Sequence, residues 1–81
     1  MWYVYILLCS DNSLYTGATN DLEKRLSRHK SGKGGNYTRS HKVLKIIYQE
    51  EFATKSEALK REIEIKSWNR SKKIINLNIK L

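Results

Sequence analysis

At 81 residues, with 16 Lys and Arg against 8 Asp and Glu, the chain has the length of one domain (residues 1–81) and a formal net charge of +8. A body of this size buries only about 60% of the surface of its unfolded chain, which leaves room for one thin core and none for separate catalytic and binding domains. A single cysteine excludes an internal disulfide, no Cys/His cluster offers a structural zinc site, and the charge excess favours polyanions as partners.

Residues 2–9, Trp-Tyr-Val-Tyr-Ile-Leu-Leu-Cys, form the one long apolar run, and aromatic and branched residues predict a strand buried on both faces. Eight residues cannot span a bilayer, and no positive region precedes them as in a secretory signal, so a reducing, cytoplasmic setting is expected. Asp11 and Asn12 are turn residues, and Leu14 to Ala18 completes a hairpin. The face on which Tyr15 lies depends on that loop. A two-residue turn of Asp11 and Asn12 pairs Tyr15 with Leu8, away from Tyr5. A three-residue loop from Asp11 to Ser13 sets it opposite Cys9, on the face of Tyr3 and Tyr5.

Asn20, with Glu23 three residues on, predicts a capped helix over Asp21 to Lys30, stopped at Gly32. Its buried stripe holds Leu22 and Leu26. His29 falls on that stripe and Arg25 at its edge, four residues apart and therefore neighbours. Residues 31–41 read as a polar, glycine-bearing loop, Val43 to Phe52 as a third strand, and Ser56 to about Trp68 as a second helix. Ile74 to Leu81 fits either a strand or a short helix. On the second helix Ile65, Ala58, Asn69, Glu62, Lys66, Leu59 and Ile63 share an arc of roughly 160° at 100° per residue. Glu62 lies near the middle of that arc, where a carboxylate needs a cation, a hydrogen bond or a cavity; Lys66 and Arg25 are the candidate partners.

Charge is localised along the chain. The first 20 residues carry only Asp11, whereas Lys24 to Lys45 holds eight basic residues and no acid. Lys24, Arg28, Lys33, Arg39 and Lys42, with Tyr37 among them, make a candidate nucleic-acid surface, since cations interleaved with an aromatic suit phosphate contact and base stacking. No helix carries Arg or Asn at base-reading offsets, so recognition through backbone and shape is expected.

Tyr3-Val4-Tyr5, then Tyr15-Thr16-Gly17, then Asn20-Asp21-Leu22 leading to Arg25, Leu26 and His29, together with Ala58-Leu59-Lys60-Arg61-Glu62, resemble the GIY-YIG nuclease superfamily, and most of all its small single-domain bacterial branch. The resemblance covers nearly the whole chain. It implies an α+β fold, a three-stranded antiparallel sheet flanked by helices in the order β-β-α-β-α. It implies hydrolysis of nucleic-acid phosphodiesters, DNA ahead of RNA, with one divalent metal ion, Mg²⁺ or Mn²⁺, in repair or recombination. By position, Tyr5 and Tyr15 are the motif tyrosines, Arg25 the phosphate contact, Glu62 the metal ligand, His29 a histidine some members use near the base, and Gly17 the glycine that leaves the site room.

The bottom-up chemistry agrees with these roles. Arg25 offers a planar, permanently charged fork to phosphate, and Glu62 offers a hard oxygen to a hard cation that keeps most of its waters. With a single inward carboxylate, a one-metal mechanism is expected. Tyr5 is the expected base, its phenolate favoured by Arg25 and a nearby metal. Tyr15 and His29 would position water or share the proton. Tyr3 stands where the family has glycine, Thr16 where it has isoleucine, Ala18 where many members have lysine and Ile74 where several have asparagine. Those departures support a second reading, a nucleic-acid-binding module with little or no catalysis. Without an appended targeting domain, specificity would be low or supplied by a protein partner, and the chain would act as a monomer or weak dimer.

Overall fold

The computed structural model describes residues 1–31 and 42–81 of the chain. Strand β1 (Trp2–Cys9) occupies the centre of a three-stranded antiparallel sheet of order β2-β1-β3, with β2 (Leu14–Thr19) on one side and β3 (Val43–Phe52) on the other. Helix α1 (Leu22–Lys30) follows the hairpin, and α2 (Lys55–Lys66) and α3 (Arg70–Asn76) follow β3. The α+β architecture of the expected order is thus present, with one further short helix where the sequence left the tail open between strand and helix.

Alternation along β1 separates two cores. Val4 and Ile6 pack with Ala58, Ile65, Leu77 and Ile79 beneath α2 and α3, whereas Tyr5, Leu7 and Cys9 pack with Val43, Leu22 and Leu26 beneath α1. Val4 to Leu7 are all at most 2% exposed, as a strand covered by helices on both faces requires. A register shift in the β1–β3 ladder between Ile6 and Leu7 lets Ile46 join the α1 side while Ile47 and Tyr48 join the other.

The hairpin differs from both expected loops. Leu8 pairs with Leu14 and Leu7 with Tyr15, so the loop is Ser10-Asp11-Asn12. Cys9 N donates to Ser13 O at 3.0 Å, Asn12 N donates to Cys9 O at 2.9 Å, and Asn12 takes φ 70°, so a tight turn is closed by a left-handed residue. Asp11 Oδ1 fixes the exit by accepting from Ser13 N at 3.1 Å and Ser13 Oγ at 2.6 Å. Tyr15 is thereby set on the face of Tyr5.

Two helix starts also move. Asp21, not Asn20, caps α1 by accepting from Lys24 N at 3.1 Å; its backbone is extended (φ −146°), as a cap requires. Thr54, two residues ahead of the expected Ser56, caps α2: its hydroxyl oxygen accepts from Glu57 N and its hydroxyl donates to Glu57 Oε1. The expected stop at Gly32 lies outside the described residues; α1 ends at Lys30, with Ser31 as its cap. The buried face of α2 is rotated from the expected arc. Ala58 and Ile65 are fully buried, but Leu59 and Ile63 are 37% and 69% exposed. In their place Arg61 turns inward. Its Nε and Nη2 each donate to Glu50 at 3.1 Å, while Nη1 pairs with Glu64 and Tyr48 donates to the same Glu50. This clamp joins β3 to α2, and it leaves Glu62 at the edge of the buried face, half-buried. No helix among the described residues is long and apolar enough to cross a membrane.

Candidate active site

Tyr5 lies opposite Gly17 in the β1–β2 ladder. A methyl group on Gly17 would sit 2.5 Å from Tyr5 Cζ and closer still to its hydroxyl, so only glycine lets the phenol cross this strand pair. The hydroxyl reaches His29, with Tyr5 Oη and His29 Nε2 2.9 Å apart in a buried hydrogen bond. Tyr5 is 2% and His29 1% exposed. His29 stands in the last turn of α1, and the spacing that places Leu22 and Leu26 on the sheet brings it down on the same face. Tyr15, half-buried, completes a three-ring cluster: its ring centroid is 5.1 Å from that of His29, and Tyr5's is 6.0 Å away, both pairs edge-on at 60°.

Burial holds His29 below the usual imidazole range, and Arg25 and Arg28 depress it further, so the ring is neutral and can accept a proton at Nε2. Burial pushes the Tyr5 phenol well above its usual value; Tyr15 adds to that push, Arg25 opposes it, and Glu62 raises it again. The expected pull of Arg25 on Tyr5 is thus present and overcome by desolvation. The same balance places Tyr15, Arg25 and Glu62 within electrostatic reach of one phenol. Of the five residues singled out as catalytic, from β1, β2, α1 and α2, Tyr5, Tyr15 and His29 meet in the ring cluster, and Arg25 and Glu62 act on the Tyr5 phenol through their charge.

Glu62 Oε2 forms an ion pair with Lys66 Nζ at 3.3 Å, one turn along α2. The carboxylate is 16% exposed and the Lys66 side chain 51%, so the pair is open to solvent on the lysine side. Among the described residues no three His, Cys, Asp or Glu side chains converge, so a metal here would have Glu62 as its carboxylate and otherwise water or substrate oxygens. That donor set fits a hard divalent cation.

The candidate surface residues divide. Lys24 and Arg28 line a cleft with Thr19, Asn20, Asp21 and Arg25, where β2 runs into α1. Lys42 lies at the opposite end of β1, its carbonyl accepting from Ser10 N at 2.7 Å beside the hairpin. Lys33, Tyr37 and Arg39 lie outside the described residues. The inward turn of Arg61 and the cleft that Thr19 and Asn20 help to wall had no signal in the sequence, because each depends on which elements meet.

The model of the GIY-YIG catalytic domain matches residues 1–76. The chain belongs to the GIY-YIG family. A UPF0213 protein of Staphylococcus saprophyticus is 53% identical over 72 residues, 89% of this chain and 88% of its own length. A UPF0213 protein of Bacillus pumilus is 54% identical over 71 residues, 88% of this chain and 72% of its own. Two solution NMR structures share the fold. One, from E. faecalis, has a TM-score of 0.65 and 43% identity, covering 94% of this chain and 81% of that one. The other, a UPF0213 protein of Bacillus halodurans, has a TM-score of 0.57 and 40% identity, covering 96% and 84%. The close approach of Tyr5 to Gly17 gives a physical reason for a glycine at position 17.

Proposed function

We propose that the protein is a metal-assisted endonuclease that hydrolyses nucleic-acid phosphodiesters, DNA ahead of RNA. The observation that carries this reading is the gathering of Tyr15, Arg25, His29 and Glu62 around the Tyr5 phenol. Arg25, permanently charged, holds a non-bridging phosphoryl oxygen and opposes the negative charge that grows there. Glu62 would hold the divalent ion, releasing Lys66 to solvent. When bound, that ion supplies positive charge to the phosphoryl group and the leaving oxygen.

Tyr5 takes the proton of the attacking water. Because burial opposes a free phenolate, Tyr5 must pass its own proton on, and neutral His29 at 2.9 Å is the acceptor at hand. The two side chains act as one base, with the positive charge formed on His29. Tyr15 orients the water. A cleavage assay on branched, single-stranded and duplex substrates with Mg²⁺ or Mn²⁺ tests the reading. Tyr5→Phe and Glu62→Ala should each abolish cutting, and equal cutting by wild type and Glu62→Ala would remove the mechanism.

Ala18 and Ile74, where relatives of this family often carry a lysine and an asparagine, favour a second reading in which the chain binds nucleic acid and cuts slowly or not at all. In that case wild type cuts none of the substrates and Glu62→Ala leaves salt-sensitive binding intact.

A further inference from the structure

The cleft between the end of β2 and the first turns of α1 has more charge than the proposed reaction uses. Lys24, Arg25 and Arg28 line it on adjacent turns, and among the described residues none of the three is in an ion pair. Three cationic side chains around one cleft favour an anion there. The acid in the wall, Asp21, is committed to capping α1 through Lys24 N. Thr19 Oγ1 is tied to the same residue, accepting from Asp21 N at 3.1 Å and donating to Asp21 O at 3.3 Å, so this edge of the cleft is ordered in advance. Asn20 is exposed beside it and offers amide donors.

Arg25 is the wall shared with the tyrosine cluster, since its charge is felt by both Tyr5 and His29. An anion on the cleft side of Arg25 and one on the Tyr5 side are therefore neighbours. A nucleic-acid strand supplies anions in that arrangement, one phosphate per nucleotide. We propose that this cleft is a second phosphate subsite, held by Lys24, Arg28 and Asn20, which takes the phosphodiester next to the one that is cut. The subsite rests on the nucleic-acid reading above, and it sets the path of the strand: from the tyrosine cluster across Arg25 and onto the first half of α1.

Two measurements test it without requiring cleavage. The first is amide chemical-shift titration with inorganic phosphate. Residues 19–28 should shift in wild type and lose that response in Lys24→Ala/Arg28→Ala; shifts spread elsewhere, or retained in the double variant, overturn the subsite. The second is oligonucleotide binding by fluorescence anisotropy over a salt series, with no divalent metal. The double variant should show a log–log salt slope shallower by about 0.7–0.9, as expected for one lost phosphate contact. A single neutral methylphosphonate linkage, moved along the strand, should weaken wild type at two adjacent positions, the Arg25 site and the cleft, and should weaken the double variant at the first of these alone. Equal slopes, or a methylphosphonate loss at the cleft position in the double variant, overturn the proposal. A chain that passes both tests but cuts nothing keeps the subsite and loses the nuclease; one that cuts but fails both loses only the subsite.

Discussion

The phenol of Tyr5 occupies the volume that a side chain on Gly17 would fill. The two face each other across β1 and β2, and an added methyl group would meet Tyr5 Cζ at 2.5 Å. Neither can change alone: the strand backbone fixes the separation, and Tyr5, held by His29 and 2% exposed, has nowhere to swing.

Gly17→Ala should therefore act on stability and chemistry together. Overpacking of this kind costs about 1–3 kcal/mol, which lowers the melting temperature of a domain this small by roughly 4–8 °C per kcal/mol. The Tyr5–His29 bond should break, visible as a change in the His29 ring resonances. An unchanged melting temperature with intact His29 resonances would show that the strands can part to admit the methyl group.

His29 gives folding a pH dependence of predictable sign. Burial, reinforced by Arg25 and Arg28, holds its folded value below the usual 6.5. Below pH 6.5 the unfolded chain binds a proton that the folded ring refuses, so this contribution to stability is complete above pH 6.5 and is lost as the pH falls through that value. The limiting slope is about 1.4 kcal/mol per pH unit for one proton. Glu50, depressed by its bonds to Arg61 and Tyr48 against the opposing effect of burial, loses its contribution in a lower window, below 4.5. Urea denaturation of wild type and His29→Gln between about pH 5 and pH 7 separates the two, because only wild type should show the upper slope.

The Glu62–Lys66 pair makes a prediction about metal. Titration with Mn²⁺, followed by calorimetry, should show binding that Glu62→Gln removes. Lys66→Met, which frees the carboxylate from an i,i+4 partner of about 0.3–0.5 kcal/mol, should tighten binding about twofold. Undiminished Mn²⁺ affinity in Glu62→Gln would assign the metal to other ligands.

Thr16 is 3% exposed on the α2 side of β2, opposite Ile6, and among the described residues its hydroxyl is the buried side-chain polar atom without a hydrogen-bond partner. Leaving such a group unmade costs about 1–3 kcal/mol. Thr16→Val keeps the shape and removes the hydroxyl, and should stabilise the fold by up to about 1 kcal/mol. A lower melting temperature in this variant would mean that the hydroxyl is satisfied in solution.

The central strand and the helix that carries Arg25 and His29 were legible because they depend on local pattern: an apolar run, and a helical spacing of two leucines. The errors fall where two distant segments decide. The hairpin register turns on Asn12 accepting a left-handed backbone, which allows Ser10 into the loop and shifts Tyr15 to Leu7. The rotation of α2 turns on Glu50 of β3, whose carboxylate makes Arg61 a better inward residue than Leu59 or Ile63. Hydropathy ranks those residues the other way and knows nothing of the partner. The net rise in the Tyr5 pKa had the same origin: Arg25 was visible in the sequence, but the depth of burial was not.

Tyr5 belongs to the middle strand, sealed by helices on both faces and laddered to a neighbour on each side. Backbone amides in such a position exchange with solvent only when the whole molecule opens. Local fraying can uncover the hairpin tip or the ends of α2, but the base of the proposed reaction stays in place until cooperative unfolding. Mildly destabilising substitutions elsewhere should then leave the turnover of each folded molecule unaltered and reduce only the number of folded molecules.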